Sequence, residues 1–450
     1  MVEVPVTGKK VHIVKRLKVH YAWIILVLTF LALLAAQGVR LSFGAFMAPW
    51  EHEFSANRSV ISFIAFVSYI VFAISQPYVG RLIDKYGIRY ILSFSILVIG
   101  FSTLLTFFTA NTVQLMIIYG VIASVGFGGA SNVAGTMAVA TWFADKKGMA
   151  MGLMSAGTAA GQLILVPLSL FLIDQLGWKT TVLVLGFFLI VIIFPLLLLF
   201  IRSNPADLQI DAYGANVSDS QKGRQGKKEA PKGTLSIFQL LKRKEFLFLM
   251  LPFFVCGVTT TGLMDTHLIP FAQYCGFSPG VTGAAVSLLA GFNILGTVVS
   301  GFLADKWNCR KILAFLYGVR ALTIVLLLII VNDASLFGFF VTQSHLLILF
   351  AISFGIVNFA TVAPTMKLAA EYFKHLSAGA VIGWIYLSHQ LGSALGSFVP
   401  GVLFDLTGSY DSSFIASIIL LVFASVFSIM LPRQGANYQY ANSRDLAENR

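Results

Sequence analysis

Twelve stretches of about twenty apolar residues, parted by short polar loops, leave this 450-residue chain few ways to fold. They lie near 21–49, 59–80, 90–108, 113–142, 148–174, 179–201, 245–273, 281–304, 311–331, 344–368, 378–403 and 411–431, and are numbered here as spans 1 to 12. Runs of that length match the roughly 30 Å of hydrocarbon that a helix must cross. In lipid the backbone has no water to bond, so a spanning segment is a helix or part of a closed barrel, and runs without two-fold alternation select helices. With 57% hydrophobic and 11% charged residues, a water-soluble globule is excluded. The expected fold class is an all-α membrane protein of twelve transmembrane helices. Span 1 follows Lys9, Lys10, Lys15, Arg16 and Lys18 without a small-residue cleavage site, so it reads as a retained helix rather than a signal peptide.

The formal charge of +12 reflects topology. With the N-terminus taken as cytoplasmic, every Lys and Arg falls in cytoplasmic loops or tails except Arg58 and Lys179 outside and Arg40 and Arg320 within spans. Such asymmetry follows the positive-inside rule and suits contact with anionic lipid, not nucleic acid. Both termini are expected in the cytoplasm of a multi-pass protein of the cell (inner or plasma) membrane. Cys256, Cys275 and Cys309 are odd in number and scattered, which implies neither a disulfide framework nor a metal site. There is no Gly-x4-Gly-Lys-[Ser/Thr] loop, so nucleotide is not the expected drive, and no cofactor is expected.

The chain repeats itself. Gly80-Arg81-Leu82-Ile83-Asp84-Lys85 returns 221 positions later as Gly301-Phe302-Leu303-Ala304-Asp305-Lys306, and Val133-Ala134-Gly135-Thr136-Met137 returns 229 positions later as Val362-Ala363-Pro364-Thr365-Met366. Gly152, Gly161, Asp174 and Gly177 recur 231 positions on as Gly383, Gly392, Asp405 and Gly408. The expected organisation is a tail (1–20), a six-helix half (21–202), a linker (203–244), a second six-helix half (245–432) and a tail (433–450). Ser218 to Lys232 is rich in Lys, Gly, Ser and Gln with almost nothing apolar and reads as a flexible connection. Parallel repeats of six spans place a substrate near the midplane between halves that rock. Gly80, Arg81, Asp84, Lys85 and Arg89, with Gly301, Asp305, Lys306 and Arg310, form an expected cytoplasmic latch. Gly157 and Gly161 in span 5, and Gly392 and Gly396 in span 11, notch one helical face for close packing, either across a moving interface or in ordinary bundle packing.

Charges inside a bilayer cost about 2.5–3.5 kcal/mol each, so each retained one is a candidate. The 221-residue offset maps Asp265 and His267 of span 7 onto positions 44 and 46, a turn or two above Arg40 of span 1. Arg40 offers a planar fork for a carboxylate, and Asp265 would hold that fork until cargo displaces it. Asp265, His267 and His389 are candidate proton sites; on the purely structural reading Arg40 snorkels to the outer interface, and Asp265 and the histidines satisfy neighbouring helices. Arg320 in span 9 reads as a helix brace. Tyr119, Asn293 and Asn358 are candidates for neutral hydrogen bonds to cargo.

Across essentially every span the chain resembles the major facilitator superfamily. Gly38-Val39-Arg40-Leu41-Ser42-Phe43-Gly44-Ala45-Phe46 resembles span 1 of bacterial monocarboxylate porters and their oxalate–formate antiporter relatives. So do Trp142-Phe143-Ala144-Asp145-Lys146-Lys147-Gly148, Asn204-Pro205-Ala206-Asp207-Leu208 and Thr266-His267-Leu268-Ile269-Pro270. The resemblance implies a non-enzymatic secondary-active carrier of a small monocarboxylate-like anion, with proton symport or anion exchange, acting as a monomer. It departs in span 8, where 286–297 carries no charge although animal monocarboxylate transporters have an aspartate–arginine pair there; Arg40 falls where they have a span-1 lysine. Two other readings stand beside it: efflux of a neutral or cationic drug-like compound through phenylalanine-rich spans, and a non-transporting sensor with a carrier fold.

Overall fold

The computed structural model describes residues 20–215, 237–331, 342–373 and 378–432; the side chains of Pro77, Lys147, Asp305, Ala370 and residues 378–380 are outside that description. The tails, and the polar tract from Ser218 to Lys232, therefore lie outside the described residues, as does the side chain of Asp305 in the expected latch.

Among the described residues twelve helical spans run back and forth. Span 1 is Tyr21–Glu53, span 2 Arg58–Tyr86, span 3 Ile88–Thr106 and span 4 Thr112–Trp142. Spans 5 and 6 are one continuous stretch, Met149–Phe200, turned at Gly177. That residue has φ 77° and ψ 163°, where a side chain would be strained. Span 7 is Lys244–Tyr274, span 8 Pro279–Lys306, span 9 Cys309–Val331, span 11 Ala378–Thr407 and span 12 Asp411–Met430. Span 10 is two helices, Gln343–Val357 and Val362–Tyr372. Each half has its own hydrophobic core, one built from spans 1–6 and the other chiefly from spans 7–12.

The repeated Val-Ala-x-Thr-Met segment opens the second part of a broken helix in both halves. Span 4 breaks at Ala130, and the Ser131 hydroxyl caps the restart by accepting from Val133 N at 3.3 Å; Gln37 of span 1 donates to the freed carbonyl of Ala130 at 2.8 Å. Span 10 breaks over 358–361, where Arg320 donates to the carbonyls of Val357 (2.6 Å) and Asn358, and Asn293 Oδ1 accepts from Phe359 N at 3.2 Å. An interrupted helix is tolerated within a membrane when neighbours bond its orphan groups.

The glycine notches serve bundle packing rather than a moving interface. A Cβ on Gly157 would lie 2.7 Å from the Phe30 carbonyl oxygen, and one on Gly161 would strike the Leu34 carbonyl. Gly392 and Gly396 press in the same way on the carbonyls of Phe254 and Val258. The notches thus join span 5 to span 1 and span 11 to span 7 inside each half, because without a hydrophobic drive in lipid it is close backbone approach that holds a half together.

The two halves meet unevenly. At the end bearing Arg58 they touch: a Cβ on Gly401 of span 11 would lie 2.7 Å from Ser62 Cβ of span 2. At the opposite end, where the linker attaches, Cβ atoms on Gly80, Gly152, Gly301 or Gly383 would meet nothing within 4 Å. Among the described residues the hydrogen bonds found between the halves lie at the far end and around the middle. The linker's first part is docked rather than loose: Tyr213 N donates to Trp142 O at 2.9 Å, and its ring packs on His20, Trp23 and Phe143.

Candidate functional site

A cavity between the halves is lined by Arg40, Leu41 and Phe43 of span 1, Ala65, Ser68 and Tyr69 of span 2, Tyr119 of span 4, and Asp265 and Thr266 of span 7. The space it encloses is about 10 Å³, room for about one water molecule. Spans 1 and 7 come together because Gly44 has no side chain: a Cβ there would lie 2.9 Å from the Thr266 carbonyl oxygen.

Arg40 ends the first helical part of span 1, Tyr21–Leu41, beside the irregular Ser42. Its guanidinium lies over the faces of Phe72, 3.9 Å from the ring centre, and Tyr69, 4.7 Å away. Nη1 donates to Gln37 Oε1 at 3.3 Å, while Nη2 has no hydrogen-bond partner. Two aromatic faces therefore hold the cation, contributing about 0.5–2 kcal/mol each by cation–π attraction, and one fork of the donor set is left for something else. Tyr119 donates to the Arg40 carbonyl at 3.2 Å, fixing the backbone rather than the guanidinium.

Asp265 opens the helix Asp265–Tyr274 directly after a wide π turn, Val258–Met264. Such turns insert an extra residue and redirect the side chains that follow. Oδ1 of Asp265 accepts from Gln162 Nε2 of span 5 at 3.1 Å, a bond between the halves. Tyr69 reaches across as well, donating to Thr261 O within the π turn at 2.9 Å. Arg40 and Asp265 border the same space without pairing. A cationic donor and a carboxylate facing one small cavity can take a carboxylate guest at the first while the second gains or loses a proton.

Four candidates are turned away from that lining. His267 is buried between Tyr410 Oη (3.1 Å) and the Ser397 carbonyl (2.8 Å). Asn293 and Asn358 belong to the break in span 10: the side chain of Asn293 and the carbonyl of Asn358 hold it, and Asn358 Oδ1 has no hydrogen-bond partner. His389 packs against the Phe253 ring at 4.8 Å, with Nδ1 3.5 Å from Ser393 Oγ. His267 and Asn293 are consumed in joining helices, whereas Asn358 Oδ1 and His389 Nε2 are buried without a hydrogen-bond partner. Arg320 is fully buried and joins helices as well. In the expected latch, Arg81, Asp84, Lys85 and Lys306 are exposed, Arg89 donates to Leu198 O at 2.9 Å, and Arg310 donates to the Ile429 carbonyl. No ion pair forms there among the described residues.

Tyr69, Phe72, Gln37 and Gln162 escaped the sequence reading, which weighed charges and histidines above intramembrane amides and aromatics. Gln37 and Gln162 are uncharged but strongly polar within apolar runs, and that polarity was the available signal.

A profile of the Major Facilitator Superfamily matches residues 25–361. An uncharacterized MFS-type transporter of Bacillus subtilis, YcxA, is 26% identical over 395 residues, covering 86% of this chain and 90% of that protein. Monocarboxylate transporter 12 of Mus musculus is 22% identical over 427 residues, covering 90% and 84%. Two solved structures of a bacterial homologue of the human lysosomal transporter Spinster, inward-facing and either unoccupied or occupied, share the fold. Their TM-scores are 0.69 and 0.70, with 15% and 16% identity over 91% and 93% of this chain and 97% and 98% of theirs.

Proposed function

Since the chain belongs to the Major Facilitator Superfamily, we propose that it is a secondary-active carrier of a small organic carboxylate, working by alternating access with Arg40 as the cargo's anchor. The observation that carries this reading is the Arg40 guanidinium, placed at the cavity between the halves with one amino group unpartnered and no carboxylate paired to it. The similarity to monocarboxylate transporters points the same way. Protonation of Asp265 removes a negative charge facing the same cavity as the anionic cargo, which couples cargo to protons. Exchange of one anion for another is the alternative use of the same pair. The basic loops put the linker end in the cytoplasm of a cell membrane.

The test is counterflow in proteoliposomes with labelled short-chain acids and a lipophilic cation. A charge-assisted hydrogen-bond pair contributes about 1.5–3 kcal/mol, so Arg40→Gln raises the half-saturating concentration of the transported acid about 10- to 150-fold. Uptake of the cation but of no acid, or acid uptake untouched by Arg40→Gln, overturns the assignment.

A further inference from the structure

The far end of the molecule holds a contact that the cargo site does not use. Span 2 begins at Arg58, and its own N-cap residue, Asn57, makes no side-chain hydrogen bond to it. The orphan amides are taken instead by the other half: Asp405, near the end of span 11, accepts from Arg58 N at 3.1 Å through Oδ1 and from Ser59 N at 2.8 Å through Oδ2. A carboxylate at a helix N-terminus bonds the free N–H groups and is favoured by the helix dipole.

Around it the Arg58 side chain spans the same seam. It is bidentate on Glu51 of its own half, at 2.8 and 3.0 Å, donates to Tyr410 Oη at 3.1 Å and lies 4.1 Å from the centre of the Phe404 ring. Tyr410 in turn contacts His267 of span 7.

The repeat lacks an equivalent. Arg58 corresponds, 221 positions on, to Pro279 at the start of span 8, which has no amide hydrogen, and Asp405 corresponds, 231 positions back, to Asp174. Span 8 is capped by its own Ser278, whose hydroxyl accepts from Val281 N at 3.3 Å, while Asp174 accepts from its neighbour Gln175 at 2.8 Å. On that side the halves touch through Pro167 against Gly283, and through the Ser287 hydroxyl donating to Leu163 O at 3.2 Å.

We propose that Asp405 is a positioning residue of the transport cycle: a removable N-cap on span 2 that latches the far end shut along the span 2–span 11 seam, with the span 5–span 8 seam left to swing. Asn57 completes the device. It is a competent capping residue, exposed and idle in this state, and takes over the amides when Asp405 withdraws. The cap is thereby exchanged rather than lost, and opening leaves no bare helix end. The proposal rests on the alternating-access reading but not on the cargo's identity.

Ser62 is fully buried in the closed seam, so Ser62→Cys in a Cys275→Ser background reports opening by its labelling with a membrane-impermeant maleimide applied to the far face of membrane vesicles. Adding Asp405→Ala raises the labelling rate about tenfold, the size expected for loss of charge-assisted capping bonds. Asp405→Glu stays near the parent rate, Asn57→Ala lowers it, and Asp174→Ala leaves it unchanged. An unchanged rate in Asp405→Ala, an equal rise in Asp174→Ala, or a rise in Asn57→Ala overturns the proposal. If Asp405→Ala does not fold, Asp405→Asn carries the test: an intermediate rise supports the latch and a parental rate refutes it. No cargo is needed for this readout, so failure of the anion assignment and failure of the latch remain distinguishable.

Discussion

Replacing Arg320 by methionine tests whether a buried cation can serve purely as a brace. The guanidinium is fully buried, donates to the carbonyls of Val357 and Asn358 and has Nη1 3.3 Å from Cys256 Sγ. Methionine fills similar volume and removes the desolvation cost of the ion, several kcal/mol. It also leaves two carbonyls at the span 10 break with no donor from span 9, at about 1–3 kcal/mol each. Swapping a buried ion pair for apolar residues is often neutral because both partners are replaced; here the partners are backbone and remain. The balance falls on destabilisation, about 3 kcal/mol. A unit the size of one six-helix half loses about 2–4 °C of melting temperature per kcal/mol, so Arg320→Met should melt about 6–12 °C below the parent by tryptophan fluorescence in detergent. Arg320→Lys, which keeps charge and one donor group, should fall between. Cys256→Ser, which disturbs only the sulfur contact, should shift melting by no more than about 2 °C. A methionine variant melting with or above the parent would refute the brace.

Other consequences follow from particular contacts. Asp265→Asn should retain anion counterflow yet lose its acceleration by a pH gradient; a gradient response equal to that of the parent rules Asp265 out as the proton site. Gly161→Ala, whose methyl would collide with the Leu34 carbonyl, should cut the yield of monodisperse protein severalfold, while Gly152→Ala, with open space around it, should not; equal yields would count against backbone contact as the glue of the first half. Tyr213→Ala removes the ring wedged on Trp23 and Phe143 and should speed tryptic cleavage after Arg202, which lies at the docked strap. Unchanged cleavage would mean the backbone bonds to Trp142 and Asp145 hold the strap without the ring.

Much of the fold was legible because the constraints on a chain in lipid act locally. Run length picks out each span, since a helix satisfies its backbone within itself, and matched offsets of 221, 229 and 231 residues divide the chain into two halves regardless of how they pack. Polar composition alone does not reveal a docked segment: 203–215 falls in the expected linker, yet Tyr213 ties it to Trp142 and Trp23.

The site was half legible for a different reason. Depth along a helix can be counted from the sequence, and Arg40, Tyr119 and Asp265 do border one cavity. Facing cannot be counted once the helix is irregular: each residue turns a helix by about 100°, so one extra residue in a π turn swings every later side chain to another face. Tyr119 lies within such a turn and Asp265 just beyond one. Two residues on, His267 is carried to Tyr410 and span 11 instead. The number, length and pairing of the spans thus belong to the sequence, where lipid enforces them residue by residue. Which side chains look into the space between the halves, and which carboxylate caps a helix in the opposite half, were decided by tertiary packing, because both depend on rotations and contacts between segments hundreds of residues apart.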